Sequence, residues 1–286
     1  MKQELRLKEG RIFVFEQMEM MGIINVTPDS FYADSRMMEG SLEQAWDTAF
    51  AKAGQHIAEG AKMIDVGGES TRPGSAPVTA EEEIRRICPV IERIKKTWPE
   101  VLVSADTYRA ETARAAIAAG ADMINDISGL TFEPALADVI AEAGAAIVIM
   151  HTGGRPETMQ QDPYYEDVTA EVHEFLRQQI DFALRRGIER DQIMIDMGIG
   201  FGKTREHNLT LLRDIEKFED LGCPHLLAVS RKSFIGSTLG REDPADRLPG
   251  TLAVTAYAAA RGIAAARVHD VKENLDAARM TEVLTW

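Results

Sequence analysis

An α/β fold, the (β/α)8 TIM barrel with a short N-terminal β-hairpin, is what the sequence predicts, and three observations predict it. Eight short apolar, β-branched runs recur along the 286 residues, longer amphipathic stretches lie between them, and every run ends in a polar side chain. Continuous apolar runs mark strands buried on both faces, as parallel strands flanked by helices are. An open doubly wound sheet usually has fewer strands and a nucleotide-binding fingerprint after the first. A barrel of ~250 residues often stands as one domain. Residues 1–286 are therefore expected to form a single domain, with 1–18 as the hairpin and 19–286 as the barrel.

The elements follow in order. Glu4-Leu5-Arg6-Leu7 and Arg11-Ile12-Phe13-Val14-Phe15 flank Glu9-Gly10 as two short strands placed to plug the bottom of the barrel. The eight barrel strands are read at 21–25, 63–66, 101–105, 123–125, 145–150, 193–195, 226–229 and 264–268. Helix starts are marked by Ser41-x-x-Gln44 and Thr79-x-x-Glu82, which have capping-box spacing, and by Asp162-Pro163 and Asp243-Pro244, an N-cap followed by proline. Gly60, Gly120, Gly144, Gly187 and Gly262 sit where helices should end in a left-handed residue.

Composition narrows the function. A formal net charge of −14 opposes a phosphate-backbone footprint, so no nucleic-acid partner is expected. No apolar run approaches the ~20 residues needed to span a bilayer, and no apolar signal core follows Met1, so the chain is read as cytoplasmic with no membrane partner. Cys88 and Cys223 form no Cys-x-x-Cys unit and are read as two reduced thiols.

In such barrels chemistry sits at the C-terminal ends of the strands. Here those ends carry Asn25, then Asp65 with Glu69, Ser70, Thr71 and Arg72, then Asp106, Asn125-Asp126, His151, Asp196, Ser230-Arg231-Lys232, and Arg267 with His269-Asp270. A single loop-entry Asp or Asn is usually a cap or turn former. Eight converging on one rim weaken that reading. Asp106, Asn125 and Asp196 suit a flat heterocycle bearing several N–H donors, and Lys232 suits a ring acceptor. Arg72, Arg267 and His269 suit an anion. The ligand so inferred is a nitrogen heterocycle carrying a phosphate or pyrophosphate.

Gly198-Ile-Gly-Phe-Gly-Lys203 fails both nucleotide tests: Met197 stands where a Walker A glycine belongs, and Lys203 where the third dinucleotide glycine belongs. The loop is read as a close approach of backbone to ligand beneath Asp196, with Lys203 solvated. The histidines form no metal cluster. His56, His173 and His225 are assigned to surface or packing, His207 to the start of the sixth helix, His151 to a place beside Met150, which offers an apolar ring wall, and His269 to function.

These residues resemble the dihydropteroate synthase family across about residues 21–271. The resemblance rests on Ile24-Asn-Val-Thr-Pro-Asp-Ser-Phe31, Asp65-Val-Gly-Gly-Glu-Ser-Thr-Arg-Pro-Gly74, Ser104-Ala-Asp-Thr-Tyr108, Asn125-Asp-Ile-Ser-Gly129, Gly198-Ile-Gly-Phe-Gly-Lys203, Ser230-Arg-Lys-Ser-Phe-Ile-Gly236 and Arg267-Val-His-Asp-Val271. It implies transfer of a dihydropterin-methyl group from its pyrophosphate ester to 4-aminobenzoate, releasing pyrophosphate, by an SN1-like substitution. It further implies that Asp106, Asn125, Met150, Asp196 and Lys232 bind the pterin. Asn25, Thr71, Arg72, Arg267 and His269 would hold the pyrophosphate, with Asn25 also ligating Mg²⁺. Phe31, Pro73, Phe201 and Ser233 would receive the aminobenzoate. Asp106, Lys232, Arg267 and His269 would be the catalytic set, and the family implies a homodimer through outer helices. Residues 32–36 lack the glycine pair generally seen in that loop, and Met197 replaces the usual proline. Two rival readings are a methyltetrahydrofolate-dependent methyltransferase, which would have no use for a pyrophosphate site, and a noncatalytic pterin-binding homologue.

Overall fold

A computed structural model describes residues 3–26, 42–70 and 77–285. Ser41, Phe31, Thr71, Arg72, Pro73 and the loop at 32–36 lie outside the described residues. Strands β1 (Gln3–Arg6) and β2 (Ile12–Phe15) pair antiparallel. Eight further strands run parallel: β3 (Glu19–Asn25), β4 (Met63–Gly67), β5 (Leu102–Asp106), β6 (Met123–Asp126), β7 (Ala146–Met150), β8 (Ile193–Asp196), β9 (Leu226–Leu227) and β10 (Ala265–Val268). Their order is β8-β7-β6-β5-β4-β3-β10-β9. A bridge between Ile195 and His225 links the two ends of this sheet, with the Ile195 N–H donating to Pro224 O at 2.9 Å. The expected barrel architecture is therefore present. The strand read at 226–229 stays in the ladder only to Leu227, because the chain then enters a turn in which the Lys232 N–H donates to Val229 O.

Between the strands lie α1 (Leu42–Ala58), α2 (Ala80–Thr97), α3 (Ala110–Ala118), α4 (Leu136–Ala143), α5 (Val168–Arg185), α6 (Arg205–Arg213), α7 (Ser233–Leu239) and α8 (Leu248–Ala259), and α9 (Val271–Thr285) follows β10. None of the described helices is long and apolar enough to cross a membrane. Thr79 caps α2 by accepting from the Glu82 N–H, but the Glu82 carboxylate turns to Arg85 and Arg86, so only half the capping box forms. Asp243 accepts from the Ala245 N–H, as its spacing predicts. Asp162-Pro163 is a correction: Asp162 has φ of 56°, and α5 starts at Val168, capped by Asp167. The intervening segment instead carries Tyr165 to Gly202 O at 3.0 Å. All five predicted terminating glycines have positive φ.

Residues two apart on a strand share a face. Inside the barrel this sorts side chains into levels. The bottom level, Met21, Met63, Leu102, Met123, Met194 and Leu226, packs against Leu5, Leu7 and Phe15 of the hairpin, which plugs the barrel as expected. Burying each such side chain contributes roughly 1.5–3 kcal/mol. Two residues further along β4, β5, β6 and β8 the same face presents Asp65, Ser104, Asn125 and Asp196, Arg267 follows Ala265 of β10 in the same way, and above these come Asn25, Gly67 and Asp106.

Candidate active site

Polar levels above an apolar plug place charge inside a barrel whose walls exclude water. Asp65 is fully buried, and its Oδ2 accepts from Asn125 Nδ2 at 3.1 Å and from Arg267 Nε at 2.6 Å. A terminal nitrogen of the same guanidinium donates to Asp106 Oδ2 at 2.8 Å. One arginine thus joins carboxylates from β4 and β5. Burial pushes Asp106 up to about 7, with Arg267 opposing. Asp65 Oδ1 and Ser104 Oγ, on residues paired in register, are buried without a hydrogen-bond partner. Such orphans cost ~1–3 kcal/mol each, a cost that a polar ligand edge relieves.

Opposite stands a second charged group. Asp196 Oδ1 accepts from the Gly198 N–H at 2.7 Å; burial raises its pKa and Lys232 opposes first. The Lys232 ammonium donates to Ile199 O and lies 4.6 Å from the centroid of the Phe201 ring. Burial lowers Lys232 to about 8, with Asp196 opposing. Strand register sets Asp106 beside Asn125 and Met150 beside Asp196, so the five residues read as a heterocycle site share one mouth.

The remaining predicted residues line the same end. Asn25 is level with Gly67, which is in turn level with Asp106; its part-exposed carboxamide makes no hydrogen bond among the described residues. His269 places Nδ1 2.9 Å from Ser230 Oγ. Its neighbour Asp270 receives a bidentate pair from Arg231, at 2.8 and 2.7 Å, and Arg231 also donates to Pro244 O and Ala245 O. Ser233 opens α7 and is exposed. Glu69 accepts from the Val78 N–H, the Tyr108 hydroxyl and Arg109, which makes it a brace between loops.

The structure overturns one reading and adds a residue. Lys203 is not solvated: it is 4% exposed, and its ammonium contacts His151 Nδ1 at 2.8 Å, Gly198 O at 2.9 Å and Phe201 O at 3.0 Å. Burial lowers its pKa well below the usual lysine range. Asp65, noted at its strand end but given no binding role, proves central; its place two residues before the inward Gly67 was the available signal.

A protein-family model described as "Pterin binding enzyme" matches residues 21–269. A dihydropteroate synthase from Synechocystis is 43% identical over 93% of this chain and 89% of its own. The chain belongs to the dihydropteroate synthase family. Solved dihydropteroate synthases agree in three dimensions. The Xanthomonas albilineans structure with 4-aminobenzoic acid is 40% identical, with a TM-score of 0.90 over 99% of this chain and 98% of that one. The same organism's structure in complex with 7,8-dihydropteroate is 38% identical, with a TM-score of 0.85 over 97% and 98%. In this dihydropteroate synthase fold the described parts of the seven motifs all meet at one end of the barrel.

Proposed function

We infer that the enzyme joins 6-hydroxymethyl-7,8-dihydropterin pyrophosphate to 4-aminobenzoate, giving 7,8-dihydropteroate and pyrophosphate, the dihydropteroate synthase step of folate biosynthesis. The observation that carries this reading is the pair of buried charged groups at the mouth: Arg267 between Asp65 and Asp106, and Asp196 facing Lys232. It is supported by the related enzyme's capture of 4-aminobenzoic acid and of dihydropteroate on the same fold.

The residue types fit the chemistry. Asn125 and the carboxylates of Asp106 and Asp196 take the N–H edge of the pterin, Met150 flanks the ring, and Lys232 meets its oxo edge. The bond from the methylene carbon to the pyrophosphate oxygen breaks, and its electron pair leaves with pyrophosphate. Arg267 and His269, with Thr71 and Arg72, stabilise that departing charge, and Asp106 stabilises cationic character left on the carbon. The amine lone pair of 4-aminobenzoate then forms the new C–N bond and releases a proton to solvent. This amine is neutral at pH 7, so no strong base is required. Phe201 and Ser233, with Phe31 and Pro73, would seat its ring and carboxylate.

Asn25 fits a Mg²⁺ role: it offers a hard oxygen at the mouth, and this ion commonly takes few protein ligands beside substrate phosphates. When bound there with pyrophosphate, the ion would neutralise leaving-group charge. A second copy of the chain is the expected partner. Met280, Val283 and Leu284, exposed along α9, support it, and light scattering at the mass of a dimer tests it.

Purified protein incubated with the dihydropterin pyrophosphate, 4-aminobenzoate and Mg²⁺ should yield dihydropteroate and pyrophosphate. Pterin binding without product would favour the noncatalytic homologue.

A further inference from the structure

The five consecutive backbone carbonyls from Gly198 to Gly202 each accept from a side chain. Lys203 takes Gly198 O and Phe201 O, Lys232 takes Ile199 O, Gln160 takes Gly200 O at 2.6 Å, and Tyr165 takes Gly202 O. A loop so fully anchored has a single shape. Its most connected anchor is Lys203, whose ammonium has three donors and meets three acceptors, the third being His151 Nδ1. As an ammonium, Lys203 gives its third N–H to His151 Nδ1, which leaves the His151 proton on Nε2; burial and Lys203 hold the His151 pKa down at about 2, in keeping with a neutral ring.

Lys203 grips the carbonyls of Gly198 and of Phe201 itself, and the Phe201 ring lies under the Lys232 ammonium. Lys203 itself is buried. We propose that Lys203 is a positioning residue for the second substrate: by holding Gly198 O and Phe201 O against His151, it fixes the Phe201 ring that receives 4-aminobenzoate. This rests on the reading of the site as a dihydropteroate synthase with Phe201 at the aminobenzoate ring. A glutamine supplies only two donors, and an arginine is a planar fork too large for a point where three acceptors converge. Asp196 keeps its nearer supports, Lys232 and the Gly198 N–H, when Lys203 is neutralised.

The test is steady-state kinetics of the full chain as Lys203→Met, with Mg²⁺ and each substrate varied in turn. The KM for 4-aminobenzoate should rise about tenfold, the size of one lost charge-assisted contact. The KM for the dihydropterin pyrophosphate should change less than about twofold, and Lys203→Gln should recover part of the loss. Equal rises in both KM values, or a lowered Tm with neither KM changed, would overturn the positioning role. If Lys203→Met does not fold, Gln160→Ala, whose side chain is exposed, should show the same split at about threefold; no split there overturns the proposal too. A wild-type protein that makes no dihydropteroate defeats the underlying reading, whereas wild-type turnover without the split defeats this inference alone.

Discussion

Arg267 Nε lies 2.6 Å from Asp65 Oδ2, a pair drawn from β10 and β4 across 202 positions of sequence. The same guanidinium is also shared with Asp106. The cation proposed to act on the leaving group is therefore aimed beforehand by carboxylates from two strands, and each carboxylate depends on it as counter-ion.

Arg267→Ala should accordingly do two things. Turnover should fall by ~10²–10³, as when one preorganised electrostatic contact is removed. Stability should fall by about 3 kcal/mol, because Asp65 is left buried without its charge partner. Arg267→Lys, which keeps charge but loses the fork, should lie between. Urea titration and kcat at saturating substrates read the two effects, and a turnover loss under about threefold would remove Arg267 from the leaving-group role.

Asp106 sets a pH dependence. Burial lifts its pKa from 3.8 to about 7, so the folded protein retains a proton that the unfolded chain has released. Its contribution to stability is full below the lower value, is lost as pH rises through the higher one, and is level above. Turnover runs the other way, since the role proposed for Asp106 beside the ring requires the ionised form: kcat/KM for the pterin substrate should rise from pH 6 to 8. Asp106→Asn should lose this limb and flatten the stability decline relative to wild type; an unchanged pH–rate profile in Asp106→Asn would exclude the group.

A methyl group tests the glycine loop. A Cβ at Gly198 would stand 1.8 Å from His151 O at φ of +67°, while one at Gly240 would meet nothing within 4 Å at φ of +65°. Gly240→Ala should therefore cost only the ~1–2 kcal/mol of the left-handed backbone. Gly198→Ala should cost clearly more and weaken pterin binding, because the N–H that holds Asp196 must move. Similar Tm losses for the two would refute the close approach.

Much of this was legible in the sequence for a physical reason. Strands buried on both faces must be apolar, so the eight runs stood out, and with them the polar residues that end each run. Lys203 was not legible, because its burial depends on His151 and on a loop from another βα unit. Asp162-Pro163 misled because its local signal yielded to the contact that Tyr165 makes with Gly202. The roles of Phe31, Thr71, Arg72 and Pro73 rest on resemblance alone.

Arg231 has φ of 56°, a conformation its side chain offsets by clamping Asp270 beside His269. Arg231→Gly relieves the backbone and Arg231→Ala does not, though both lose the clamp. Chemical denaturation should find the alanine variant less stable by ~1–2 kcal/mol. The reverse order would show that the backbone there is unstrained.

The central claim is that the buried carboxylates at the mouth bind the pterin, and calorimetric titration of Asp196→Asn with the dihydropterin pyrophosphate tests it most directly. An amide presents a donor where the ring also donates, a buried mismatch of ~1–3 kcal/mol. Affinity should fall about tenfold or more while the Tm shows a folded protein. An unchanged affinity in that folded variant would contradict the account and move the pterin elsewhere.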